Sequence, residues 1–228
     1  MNVKKNSVAV LCRGKSLKDI NILPICETLI LVNSFQKELE IPEIDEYVKK
    51  HKNIVHVTSV GAEFYPMVER NIHSKYNFKG MVLPYVRECI PPSTPDFIFS
   101  IKDKNGEMLP VTHMSDKNKE DMIGTHRYKF TAPTCGMDSI LYAVNDLRAE
   151  ELFIIGLDFY DGVGYFTNSH GIREANDEEA IHRGENPETI KSFFINFVKK
   201  HKDVKFNIIT MSDLQKTSDV KNLNINRR

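Results

Sequence analysis

The sequence predicts an α/β domain: a parallel, Rossmann-like sheet with helices on both faces. Short, β-branched apolar runs recur at 7–12 (SVAVLC), 28–32 (TLILV), 54–58 (IVHVT), 152–155 (LFII) and 204–210 (VKFNIIT), as strands buried on both faces require. Between the last three runs the apolar period lengthens to a helical one. Ile140, Leu141, Val144 and Leu147 form one stripe, and Ile190, Phe193, Phe194, Phe197 and Val198 form another. Strands that alternate with helices need crossovers, and crossovers make neighbouring strands parallel.

Each element has its own reason. The first strand ends in CRGKSL at 12–17, where Gly14 marks a tight turn and a helix start follows. The second ends at Asn33 and the third at Thr58. From about 64 to 128 the prolines 84, 91, 92, 95 and 110 interrupt any period, which predicts an irregular insertion. Pro133-Thr134-Cys135-Gly136 precedes the first amphipathic helix, and Gly156-Leu157-Asp158-Phe159-Tyr160 follows the strand at 152–155. The polar stretch from about 165 to 185 has no apolar period and reads as a flexible lid. Asn186 is a good N-cap and Pro187 suits the first helical position, so the second helix starts there. Residues 1–211 form one domain, a size that buries a substantial core, and 212–228 read as a polar C-terminal tail.

Composition narrows the function. Lys plus Arg total 31 and Asp plus Glu total 31, so no net field draws the protein to nucleic acid. Cys12, Cys26, Cys89 and Cys135 show neither CxxC pairing nor zinc spacing, as expected of reduced thiols in a cytoplasmic protein. The apolar run near the N-terminus is too short for a signal peptide, and no stretch reaches the roughly 18 apolar residues that span a bilayer. Membrane association is therefore expected only at the periphery of the inner face. Homo-oligomerisation stays open.

Three turns carry the candidate chemistry, all at the carboxyl edge of the sheet, where ligands of open α/β sheets bind. At the first, Gly14-Lys15-Ser16 is not a P-loop, because Ala9 stands where that motif needs glycine, and the dinucleotide fingerprint fails because Gly14 is the turn's only glycine. Backbone N–H groups and the Ser16 hydroxyl could still meet a phosphate or ribose, or could form an ordinary turn. At the second, the Thr134 hydroxyl and the N–H groups beside Cys135 and Gly136 suit an anion as well as a plain N-cap. At the third, Gly156 and Asp158 place a carboxylate at the edge, for a ligand or for capping a turn. His51, His56, His73 and His201 read as surface or packed residues, and His113 and His126 carry no assignment. His170 and His182 both fall in the lid.

VAVLCRGKSLKDI resembles the first strand and GxGPSL turn of the bacterial sialyltransferases of glycosyltransferase family 42. PTCGMDSILYAVNDLRAEELFIIGLDFY resembles their second block, in which a T-S-G turn and helix lead to a strand ending GxDFY. The likeness covers roughly 7–37 and 131–198. It implies a Rossmann-like nucleotide-binding domain with a small lid, a CMP-activated nonulosonic acid such as CMP-sialic acid as donor, and a glycan or glycolipid acceptor. Transfer would invert the anomeric centre, with no cofactor and no metal. Gly14, Asn33, Gly156 and Asp158 would hold the nucleotide, Ser16 matches the turn, and Thr134 and Cys135, followed by Gly136, would lie beside the phosphate and sugar carboxylate. Tyr160 and Tyr165 would hydrogen-bond the departing phosphate, and His182 would be the general base.

The departures fall mostly on the donor site. Arg13 replaces an asparagine and could bond phosphate through its planar fork. Cys12 replaces a glycine, Cys135 a serine, Ala132 an arginine and Thr58 an asparagine that touches the sugar, and Tyr165 lies one residue closer to Asp158 than in the family. Two rivals remain: a magnesium- and ATP-dependent pyrophosphokinase of the archaeal pterin type, and a catalytically silent nucleotide-sugar binding protein.

Overall fold

The computed structural model describes residues 3–58, 65–86, 100–122, 134–159, 166–167, 169–170, 173–174, 187–215 and 219–228. Its centre is an eight-stranded sheet in which every pairing is parallel. The strands are β1 (Lys4–Leu11), β2 (Cys26–Val32), β3 (Ile54–Val57), β4 (Phe78–Val86), β5 (Val111–Met114), β6 (Glu151–Ile155), β9 (Lys205–Thr210) and β10 (Leu223–Arg227). A separate antiparallel pair, β7 (Ser169–His170) and β8 (Arg173–Glu174), lies in the lid region. The order across the sheet is β10-β9-β6-β1-β2-β3-β4-β5. The chain builds outward from β1 to β5, returns to the other side of β1 with β6, and builds outward again. The α/β, Rossmann-like architecture follows from this order, and its topological switch point lies between β1 and β6.

Alternation along the strands divides the core into two layers. Val8, Val10, Ile30, Val32, Leu152 and Ile154 face one side, where α5 (Cys135–Asn145) and α6 (Pro187–Lys200) cover them with Met137, Ile140, Leu141, Phe194 and Val198. Ala9, Leu11, Leu29, Leu31 and Ile54 face the other, beneath a 3-10 helix (Lys15–Ile22), α1 (Pro42–Lys49), α2 (Tyr65–Glu69) and α3 (Ile72–Lys75). A further short helix, α4 (Lys119–Met122), follows β5. α6 includes Pro187, where a helix was expected; Asn186, its expected N-cap, is outside the described residues.

Two expectations need correction. Residues 64–128 are not an insertion, for β4 and β5 come from them and extend the sheet by two strands. Pro84 sits inside β4 because the register with the edge strand β5 shifts between Leu83 and Val86, at a place where a missing N–H is tolerated. The polar tail at 212–228 does not fray as expected. Leu214, Val220 and Leu223 are buried, and β10 closes the far edge of the sheet in register with β9. Its sequence, LNINR, is polar because only its first residue is buried. Among the described residues, no helix is long and apolar enough to cross a membrane.

Candidate functional site

The switch point is closed by backbone. Past the end of β1, Cys12 N donates to Ile155 O at 2.8 Å, and Gly14 N donates to Gly156 O at 2.7 Å. The two turns approach so closely that each needs glycine. A Cβ on Gly14 would strike the Asp158 carboxylate and come within 2.6 Å of Gly156 O, and one on Gly156 would enter the Cys12 carbonyl. Gly156 also sits at φ +77°, in the left-handed region.

Ser16 and Asp158 complete this junction reciprocally. Ser16 N donates to Asp158 Oδ2 and Gly156 N donates to Ser16 Oγ, both at 2.9 Å. Asp158 Oδ1 accepts from Thr210 Oγ1 at 3.0 Å and from Met211 N at 2.9 Å. One buried carboxylate thus ties the ends of β1, β6 and β9 together, which gives Asp158 a reason to stand beside Gly156 whether or not a ligand binds. Asp158→Ala should lower unfolding free energy by about 2 kcal/mol, since it strands three donors at a buried site. Chemical denaturation checks this, and an unchanged midpoint would leave the carboxylate no structural task.

Arg13 is buried in an ion pair. Its Nε donates to Glu38 Oε1 at 3.0 Å, with the two side chains only 4% and 0% exposed, and Thr167 Oγ1 donates to the same oxygen at 2.7 Å. Phe166 N donates to Arg13 O at 2.7 Å, so the start of the lid region is fastened to the first turn. Breaking such a buried pair from one side typically costs about 3–5 kcal/mol. The guanidinium therefore holds the segment that leaves β2, a role the sequence did not disclose.

Next along the edge, Asn33 ends β2 at φ +56° and Thr58 ends β3, fully buried. Asn33 N donates to Val57 O and Thr58 N to Val82 O, extending both ladders by one residue. On the other layer, α5 points its N-terminus at the same edge. Thr134 caps it, its hydroxyl accepting from Met137 N at 3.3 Å. A Cβ on Gly136 would lie 3.0 Å from Cys12 Sγ and 3.1 Å from Leu157 Cδ1, so the helix start sits directly over the switch point. Burial, with Asp158 and Cys135 nearby, pushes the Cys12 thiol far above its ordinary range, and it remains an inert packing group. Cys12, Cys26 and Cys135 are free thiols.

No family model, curated protein or solved structure matches this chain.

The structure brings Arg13, Gly14, Ser16, Gly156 and Asp158 into one junction, sets Thr134, Cys135 and Gly136 over it, and places Asn33 and Thr58 on the adjacent strand ends. Tyr160, Tyr165, His182 and Ala132 lie outside the described residues. Sequence reasoning missed Glu38, Thr210 and the partnership of His56 with His73. None leaves a motif, because each contact joins residues far apart in the chain.

Proposed function

We propose that the protein is an inverting, metal-independent glycosyltransferase that moves a nonulosonic acid such as sialic acid from its CMP-activated form to a glycan or glycolipid acceptor. One observation carries this reading: the two sequence blocks that resemble family 42 converge at the switch point, with the α5 N-terminus above them. The nucleotide lies over Gly14 and Gly156 and against Asn33. The sugar carboxylate and the phosphate face the first turn of α5, whose N–H groups and dipole favour an anion. A CMP-linked sugar leaves through an oxocarbenium-like state, and charge develops on the phosphate as the glycosidic bond breaks. The phenols of Tyr160 and Tyr165 stabilise that charge, and His182 takes the proton of the acceptor hydroxyl as its oxygen bonds to the anomeric carbon. The donor chemistry itself requires no divalent ion for this step.

A thermal-shift comparison of CMP, CDP, UDP and ATP, each with magnesium and with EDTA, tests the proposal. CMP should raise the midpoint equally in both buffers. Stabilisation by ATP that depends on magnesium, with none by CMP, would replace this reading with the pyrophosphokinase.

A further inference from the structure

His56 and His73 are a buried pair behind the strand edge. His56 Nδ1 lies 2.9 Å from His73 Nε2, and His56 Nε2 lies 2.8 Å from the Asn33 carbonyl oxygen. The carbonyl can only accept, so His56 carries its proton on Nε2. In the neutral ring Nδ1 is then a lone pair, and His73 must donate to it from Nε2. The tautomers of both rings are fixed in one direction: His73 to His56 to Asn33. Asn33 turns the chain at φ +56°, a left-handed conformation that asparagine tolerates better than most residues, and the His56 bond fixes its carbonyl there. The segment that follows is buried through Ser34, Phe35 and Gln36 and ends at Glu38, the partner of Arg13. His56 therefore holds one end of segment 33–38 and Arg13 holds the other.

We infer that His56, oriented by His73, is a positioning residue for segment 33–38, and that acid releases this segment by protonating the pair. A proton on His56 Nδ1 sets two N–H groups against each other and breaks the chain of donors. The contact of this segment with a nucleotide rests on the proposed function; the release does not.

The surroundings favour the neutral pair. Burial lowers His56 to about 4 and lowers His73 well below the ordinary histidine range, with His56 contributing further to the latter. Among the described residues, the charged groups on the elements packed around the rings are Glu69 on α2, Arg70 between α2 and α3, Lys75 on α3, Lys79 on β4, and Lys102, all exposed. Glu69 and Lys102 share with His73 the wall of a cavity of about 460 Å³. A ring that titrates lower when closed than when open binds more protons in the open form. Opening is then favoured as pH falls below about 6.5, and between pH 7 and 5 His56 alone should raise the opening constant about 20-fold.

The test is hydrogen exchange of segment 33–38 at pH 7 and 5, corrected for the intrinsic rate. The wild-type protein is compared with the double variant His56→Gln, His73→Gln, in which amides keep a donor and an acceptor but cannot titrate. At least a tenfold acceleration in wild type, absent from the double variant, is expected; no acceleration, or an equal one in both, overturns the inference. Should the double variant not fold, imidazole nitrogen spectra of the wild type decide: neutral Nε2–H rings persisting to pH 5 support the pair, and either folded-state ring titrating near 6.5 overturns it. Saturating CMP at pH 5 should slow the exchange, and bound CMP that leaves it unchanged removes the nucleotide contact. If CMP binds at no pH, the proposed function fails while the exchange comparison still decides the release.

Discussion

Gly156→Ala is expected to give no folded protein, or one whose thermal midpoint falls by more than 10 °C, the shift expected for roughly 3–5 kcal/mol in a domain of this size. The methyl group would enter the Cys12 carbonyl, and both turns are pinned by strands on either side, so neither can withdraw. Gly106→Ala is the internal control. Gly106 has a similar left-handed φ of +83° but nothing within 4 Å of an added Cβ, so it should lose only about 1 kcal/mol. The difference between the variants isolates the close approach from the backbone cost. Equal midpoints would mean that the β1 and β6 turns are not in contact.

His182→Ala should lower transfer by about 10²- to 10⁴-fold while CMP affinity stays unchanged, because a general base acts on the acceptor hydroxyl and not on the nucleotide. The wild-type rate should also fall as pH drops through the histidine range, near about 6.5 if unperturbed, since an imidazolium cannot accept a proton. The variant must be measured beside His170→Ala with one acceptor. Loss of activity in His170→Ala alone would move the base to the other lid histidine, and full activity in both would end the base mechanism. Under the same proposal, Tyr160→Phe and Tyr165→Phe should separate from the base in such assays, because their loss would slow departure of the nucleotide whatever the acceptor.

Legibility in the sequence followed burial. β1, β2, β3, β6 and β9 stood out because central parallel strands are apolar on both faces. β4 was obscured by Lys79, Gly80 and Pro84, which an interior strand beside a shifted register can carry, and β10 by the polar residues of an open edge. At the site, glycine and strand-end position were enough to locate Gly14, Gly156 and Asp158. They did not reveal that the carboxylate is held by Ser16, Thr210 and Met211, or that Arg13 is paired with Glu38. A buried polar contact between distant residues has no period, and its partners must be brought together by the sheet before they can be recognised.

The position of β1 between β2 and β6 also dictates when the site can exist during folding. β1 finds β2 through a short crossover, but Ser16 and Asp158 are 142 positions apart, and the loop between them must be closed before the junction forms. The strands from β1 to β5 can assemble progressively from neighbours in sequence, whereas the other edge of β1, with its VAVL run, stays open until β6 docks. Non-local parallel pairing is slow, and an unpaired apolar strand edge invites association with other chains. The same docking event that covers that edge brings Gly156 to Gly14 and Asp158 to Ser16. The closed junction and the cover over the apolar strand edge therefore arrive together, in the one docking event.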